Sequence, residues 1–255
     1  MGDIMTEESI WEQAKQVPPS ATKENKSGGF DSTSINGYWF FQKATEMWGP
    51  IGTGWGYDIL EETFTDGVPI RDPGSKEIIC HSVMHTIKIS LWYPDCEKPV
   101  VQYGHTPYII MTQKGPKSDM EVMKKSLTDA IKKALSMLGF AADVYMGDFA
   151  DIDYKRARII EEQIETADNK AEEIEIARKS INELVANNIK AISTAMSKHE
   201  AIQIETGVRR TLHFQKDIEE LRELCDRGEK AIIKARTERV AIIDKGKQEQ
   251  KPNER

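Results

Sequence analysis

The sequence predicts an α+β protein: a helix, then a three-stranded antiparallel sheet packed by a long helix (a β-β-β-α core), and a helical C-terminal extension. Three observations predict it. The run EIICHSVMHTIKISLWYP, Glu77 to Pro94, alternates with the two-residue period of a strand. The run MEVMKKSLTDAIKKALSMLG, Met120 to Gly139, repeats its apolar residues at helical spacing. Beyond Asp151 the chain is rich in Glu, Lys, Ile and Ala, with no proline before Pro252.

Taken in order, residues 1–36 read as a flexible arm. A short helical pattern at Glu8–Lys15 is followed by VPPSATKENKSGGFDSTSING, rich in Pro, Ser, Gly and Asn. Residues 37–154 form the expected core. Apolar and aromatic residues from Tyr38 to Trp48 recur at helical spacing, and GPIGTGWG then turns the chain into a strand at GYDILEETF. After the turn-forming RDPGSK comes the alternating run, with His81, Val83, His85, Ile87, Ile89 and Leu91 on one face. The segment PVVQYGHTPYIIMT supplies the third strand.

In the long helix, Met120, Met123, Leu127, Ile131, Ala134 and Leu138 share one stripe, and Lys125, Lys132 and Ser136 project from the other side. Ser118 with Glu121 is a capping-box pattern, and Gly139 can take the left-handed C-terminal cap. Residues 155–255 are expected to be helical. A heptad-like stripe runs through Ile160, Ile164, Ala167, Ala171, Ile174, Ile181 and Ile189. A second, with Ile218, Leu221, Leu224, Ile232 and Val240, starts after a break at Thr206–Gly207. This predicts a helical hairpin or coiled coil, ending in a frayed tail at KGKQEQKPNER.

The 255 residues carry a formal net charge of −7, which excludes a globally basic nucleic-acid coat and leaves room only for a local positive patch. Before Tyr154 there are 14 Lys and Arg against 22 Asp and Glu; from there on, 21 against 20. Three widely spaced cysteines, Cys80, Cys96 and Cys225, suggest neither a disulfide framework nor a zinc site. No segment approaches the ~18 apolar residues of a membrane span, and the N-terminus has no secretory pattern, so a cytoplasmic protein is expected.

No motif for catalysis stands out. GPIGTGWG lacks the Gly-Lys-Ser/Thr of a phosphate loop and leads into a strand. His81 and His85, four residues apart in a strand, lie ~13 Å from each other, too far to share one zinc. Asp143, Asp148, Asp151 and Asp153 crowd together without the glycine-bearing pattern of a cation loop. The chain is therefore read as a non-enzyme without cofactor or metal.

Two segments resemble the Rad fifty-two superfamily of single-strand annealing proteins, which includes phage-encoded recombinases. The first is ATEMWGPIGTGWGYDI, Ala44 to Ile59, similar to a helix ending in glutamate-methionine-aromatic-glycine before a tryptophan enters the first strand. The second is KKSLTDAIKKALSMLGFAADVY, Lys124 to Tyr145, similar to the family's helix with threonine-aspartate, paired basic residues, alanine-leucine and glycine. The resemblance covers roughly Gly37 to Tyr154. It implies a core that assembles into rings or helical filaments, holds single-stranded DNA in an outer basic groove and anneals complementary strands in homologous recombination without ATP. In a phage-encoded protein this would take place in the host cytoplasm.

Carried over by residue, Lys132 and Lys133 match the adjacent basic pair that contacts phosphates. Ser136 and Trp39 stand where the family often has further basic residues, so the groove is expected to recruit Lys125, Lys43, Lys114, Lys117 or Lys88. Lysines on a rigid helix suit annealing because they neutralise phosphates and leave base edges exposed. Trp39, Tyr38 and Tyr103 are candidates for base stacking. The implied partners are single-stranded DNA, further copies of the chain, and a single-strand-binding protein or exonuclease. The alternative is an oligomeric helical scaffold whose lysines only solvate it.

Overall fold

The computed structural model describes residues 9–25, 32–72 and 74–249. The chain divides into two compact units, Met1–Val17 with Ala21–Met146, and Pro18–Ser20 with Gly147–Arg255.

In the first unit the elements run α1 (Ile10–Ala14), β1 (Thr22–Asn25), β2 (Ser32–Ile35), α2 (Gly37–Trp48), β3 (Gly56–Arg71), β4 (Ile78–Trp92), β5 (Val100–Thr112), β6 (Gly115–Ser118), α3 (Val122–Met137) and α4 (Ala142–Met146). The expected three-stranded sheet is corrected to four strands in the order β3-β4-β5-β6, accompanied by a separate two-stranded β1-β2 sheet. The added strand, β6, folds back on β5 with Thr112 opposite Gly115 and Ile109 opposite Ser118. Gly115 and Pro116 make its sequence read as a turn. Proline is tolerated there because β6 is an edge, where a missing amide hydrogen need not break a ladder.

Where the structure describes residues 1–36, read from sequence as a flexible arm, it places a strand pair and two buried residues. Thr22–Asn25 pairs antiparallel with Ser32–Ile35, and Ala14 and Val17 are fully buried. The Val17 amide donates to the buried Asp143 carboxylate at 3.0 Å. Two small apolar anchors in a polar, proline-containing stretch are too sparse a signal for periodicity to detect. Residues 1–8 and 26–31 of that arm lie outside the described residues.

The alternation in β4 matches its burial: His85, Ile87, Ile89 and Leu91 are buried, beneath a cluster that includes Phe40, Trp55, Ala130, Ala134 and Leu135. The α3 stripe differs from expectation. Val122, Ser126, Ala130, Ile131, Ala134 and Leu135 face inward, whereas Met120 and Met123 are 85% and 53% exposed. The cause is close approach. A β-carbon on Gly104 of β5 would lie 2.0 Å from the Ser126 carbonyl oxygen and 2.4 Å from the Ala130 amide nitrogen. The helix therefore presents small residues to the sheet, and the methionines rotate outward.

The α3 termini are tied differently from the expected capping box. Ser118 belongs to β6, and Asp119 Oδ1 instead accepts the Glu121 amide at 3.0 Å. At the other end Gly139 does take a positive φ of 98°, which a side chain would strain.

The second unit contains α5 (Ile152–Thr166), α6 (Lys170–Thr194), α7 (Lys198–Gln215) and α8 (Glu219–Glu249), which pack around Ile164, Ile181, Ile192, Leu212, Leu221 and Ile232. The single heptad-like stripe is corrected to two helices. Asn169 caps α6 by accepting the Glu172 amide, and Ser197 caps α7 by accepting that of Glu200. The expected break at Thr206–Gly207 is absent, since α7 runs through it; one interior glycine weakens a helix by only about 1 kcal/mol. Part of the expected frayed tail, Lys245–Glu249, is helical, and residues 250–255 lie outside the described residues. Among the described residues no helix is long and apolar enough to cross a membrane.

Candidate nucleic-acid interface

The residues proposed from sequence occupy four places in the first unit. Lys125, Lys132 and Lys133 lie on α3, Lys88 and Tyr103 lie on the sheet, and Lys114 and Lys117 lie in the β5–β6 turn and on β6. Lys43, Tyr38 and Trp39 lie on α2, where Tyr38 is exposed and Trp39 is buried.

On α3 the adjacent lysines diverge, as a 100° step per residue requires. Lys132 Nζ lies 5.7 Å from the centre of the Phe40 ring of α2, a cation–π distance. Gly37, the first residue of α2, comes so close that a β-carbon there would sit 3.7 Å from both Lys132 Cδ and Thr128 Cγ2. Lys132 therefore stands at the junction of the two helices. Lys133 Nζ instead turns to Asp129 Oδ2 at 2.9 Å, and that oxygen also accepts the His105 amide at 3.2 Å.

Lys132 lines a shallow groove of about 220 Å³ with Lys124, Lys125, Thr128 and Asp129. Lys125 is held by Asp119 Oδ2 at 2.6 Å and Lys124 by Glu121 at 2.8 Å. The Lys125 hydrogen bond and then the Glu121 amide hold the Asp119 carboxyl below its ordinary range. The reciprocal bond raises the Lys125 ammonium above its own. Lys43, Lys88, Lys114, Lys117 and Lys132 form no ion pair among the described residues.

Lys88 alternates with the buried residues of β4 and so points to the sheet face away from α3, where its Nζ lies 5.2 Å from the centre of the half-exposed Tyr103 ring. It does not join the α3 lysines. Trp39 is corrected as a stacking candidate: it is 8% exposed and packs edge-on against Phe40 and Phe140, filling core space. Tyr38, by contrast, is 73% exposed at the start of α2.

Sequence reasoning missed Lys124 and Thr128 as groove residues and Asp129 as the tether of Lys133. The Asp129–Lys133 pair was legible as an i,i+4 contact. The Asp119–Lys125 pair was not, because Asp119 precedes the helix.

Asp143, Asp151 and Asp153 of the acidic cluster are engaged by neighbouring groups, and Asp151 and Asp153 share Arg210. Asp143 accepts the Val17 amide, Asp151 caps α5, and Asp153 accepts the Thr211 hydroxyl. His85 is buried with Nε2 3.0 Å from Glu62 Oε1, while His81 is exposed. Among the described residues no group of three His, Cys, Asp or Glu is placed to hold a metal ion. GPIGTGWG is a turn between α2 and β3, and it ends at the buried Trp55, whose indole N–H donates to Thr45 at 3.3 Å.

No protein-family model and no curated protein matches this chain.

Proposed function

We propose that this protein binds single-stranded DNA along the outer face of α3 and, as a self-assembled ring or filament, anneals complementary strands without nucleotide hydrolysis in homologous recombination. The observation that carries this reading is Lys132: a cation without an ion-pair partner among the described residues, set in a groove with Lys124, Lys125, Thr128 and Asp129. Phosphate binding by such a cation releases counterions and reads no sequence. Lys124, Lys125 and Lys133 are held near the track by carboxylates, and a phosphate competes with those carboxylates for them. Repetition around an assembly turns a patch of a few lysines into a continuous track, so an acidic protomer is no obstacle.

Fluorescence-monitored annealing of two complementary oligonucleotides without ATP tests this. The expected result is a large loss of annealing and binding in the Lys132→Ala plus Lys133→Ala variant, with its assembly retained. Annealing equal to the parent's would remove α3 from the site. A parent inert toward single strands at low salt would leave the scaffold reading in place.

A further inference from the structure

The two edges of the four-stranded sheet differ in charge and in protection. β3 is exposed without interruption from Asp58 to Pro69. Along it Leu60, Phe64 and Val68 are 53%, 51% and 72% exposed, among Glu61 and Asp66, while Glu62 turns to the buried His85. The whole strand holds four carboxylates against one arginine. An open, apolar edge of this length is a template for association.

The strands of the opposite side, Val100–Ser118, contribute no carboxylate of their own and carry Lys114 and Lys117 beside Ile110 and Met111, each 43% exposed; Asp119 beyond β6 and Asp129 of α3 are the carboxylates that reach this side. Its edge is blunted. The Tyr103 amide is taken by Gln102 Oε1 at 3.1 Å and the His105 amide by Asp129, and Pro107 and Pro116 have no amide hydrogen. Side chains must therefore supply most of any contact there.

Both surfaces lie at one level of the sheet, because Asp66 pairs with Val83, Val83 with Ile109, and Ile109 with Ser118. We propose that the acidic β3 edge of one protomer docks on the basic β5–β6 hairpin of a second copy of this chain, head to tail. Apolar centres meet and rims of opposite sign surround them, which gives both adhesion and register. Two β3 edges face to face would oppose their carboxylates, so the symmetric dimer is disfavoured. A head-to-tail contact uses a different surface on each copy and propagates into a ring or filament. The role assigned to the contact rests on the annealing reading, but its test needs no DNA, so either can fail alone.

Sedimentation velocity of the full chain at low salt, with circular dichroism to confirm folding, tests it. The parent is expected to assemble. Glu61→Lys plus Asp66→Lys, and separately Lys114→Glu plus Lys117→Glu, should each weaken association at least tenfold. Mixing the two variants, or combining all four substitutions in one chain, should restore it. A monomeric parent, either variant assembling as well as the parent, or failure of both the mixture and the combined chain to reassemble would overturn the proposal.

Discussion

In the second unit cations reach across to neighbouring helices. Arg209 of α7 meets Glu229 of α8 at 2.7 Å, Arg236 of α8 meets the buried Glu205 of α7 at 2.6 Å, and Lys216 bonds both Asp226 and Glu229. In the first unit, Lys43, Lys88, Lys114 and Lys132 form no ion pair among the described residues, Lys117 acts on Asp119 only at a distance, and large apolar side chains of β3 stand in solvent. Similar residue types thus serve opposite ends. The second unit uses charge to tie its helices to one another, and the first leaves several of its lysines outside any ion pair.

The sharpest way to break this contrast is to remove a charge from each unit and compare stability. Glu205→Ala removes a buried carboxylate that bonds Arg236, itself partly exposed, and a loss of about 1.5 kcal/mol is expected. Lys132→Ala, on the surface of α3, should stay within about 0.5 kcal/mol of the parent. Urea unfolding measures both, and comparable losses would show that Lys132 is also a structural cation.

A smaller effect comes from pH. The Asp119 carboxyl is depressed below its ordinary value of 3.8, first by Lys125 and then by the Glu121 amide. Its contribution to the start of α3 is therefore complete above that value and lost as the pH falls through the lower folded one. The Glu121 amide resonance, followed by NMR on acidification, should titrate below 3.8. A midpoint at or above it would mean that Lys125 is not held by Asp119 in solution.

Legibility of the sequence tracks how directly burial follows hydrophobicity. In β4 alternation and burial coincide from His85 to Leu91, so the inward face could be read from sequence. In α3 they part, because the contact with Gly104 selects Ser126, Ala130 and Ala134 over the more apolar Met120 and Met123. The helix was legible, but its orientation was not. The fourth strand was hidden by Gly115 and Pro116, whose local preference is a turn and whose strand character comes only from pairing with β5. In the helical half, a local polar cap at Asn169 cuts a hydrophobic pattern that appears continuous in one dimension.

For the candidate site, spacing located the lysines but not their company. Lys132 and Lys133 are neighbours in sequence, yet one reaches Phe40 and the other Asp129. Lys88 fell on the far face because strand alternation opposes it to Ile87 and Ile89. Lys114 and Lys117 fell on the sheet edge because of a hairpin that the sequence concealed.

The central claim, that Lys132 grips phosphate, is tested most directly by the salt dependence of single-stranded DNA binding by the parent and by Lys132→Ala. A linear fall of log affinity with log salt is expected, shallower in the variant by about 0.7 for each phosphate per protomer that its alanine leaves unneutralised. Identical slopes and affinities for the two proteins, or no binding by the parent at low salt, would contradict the account.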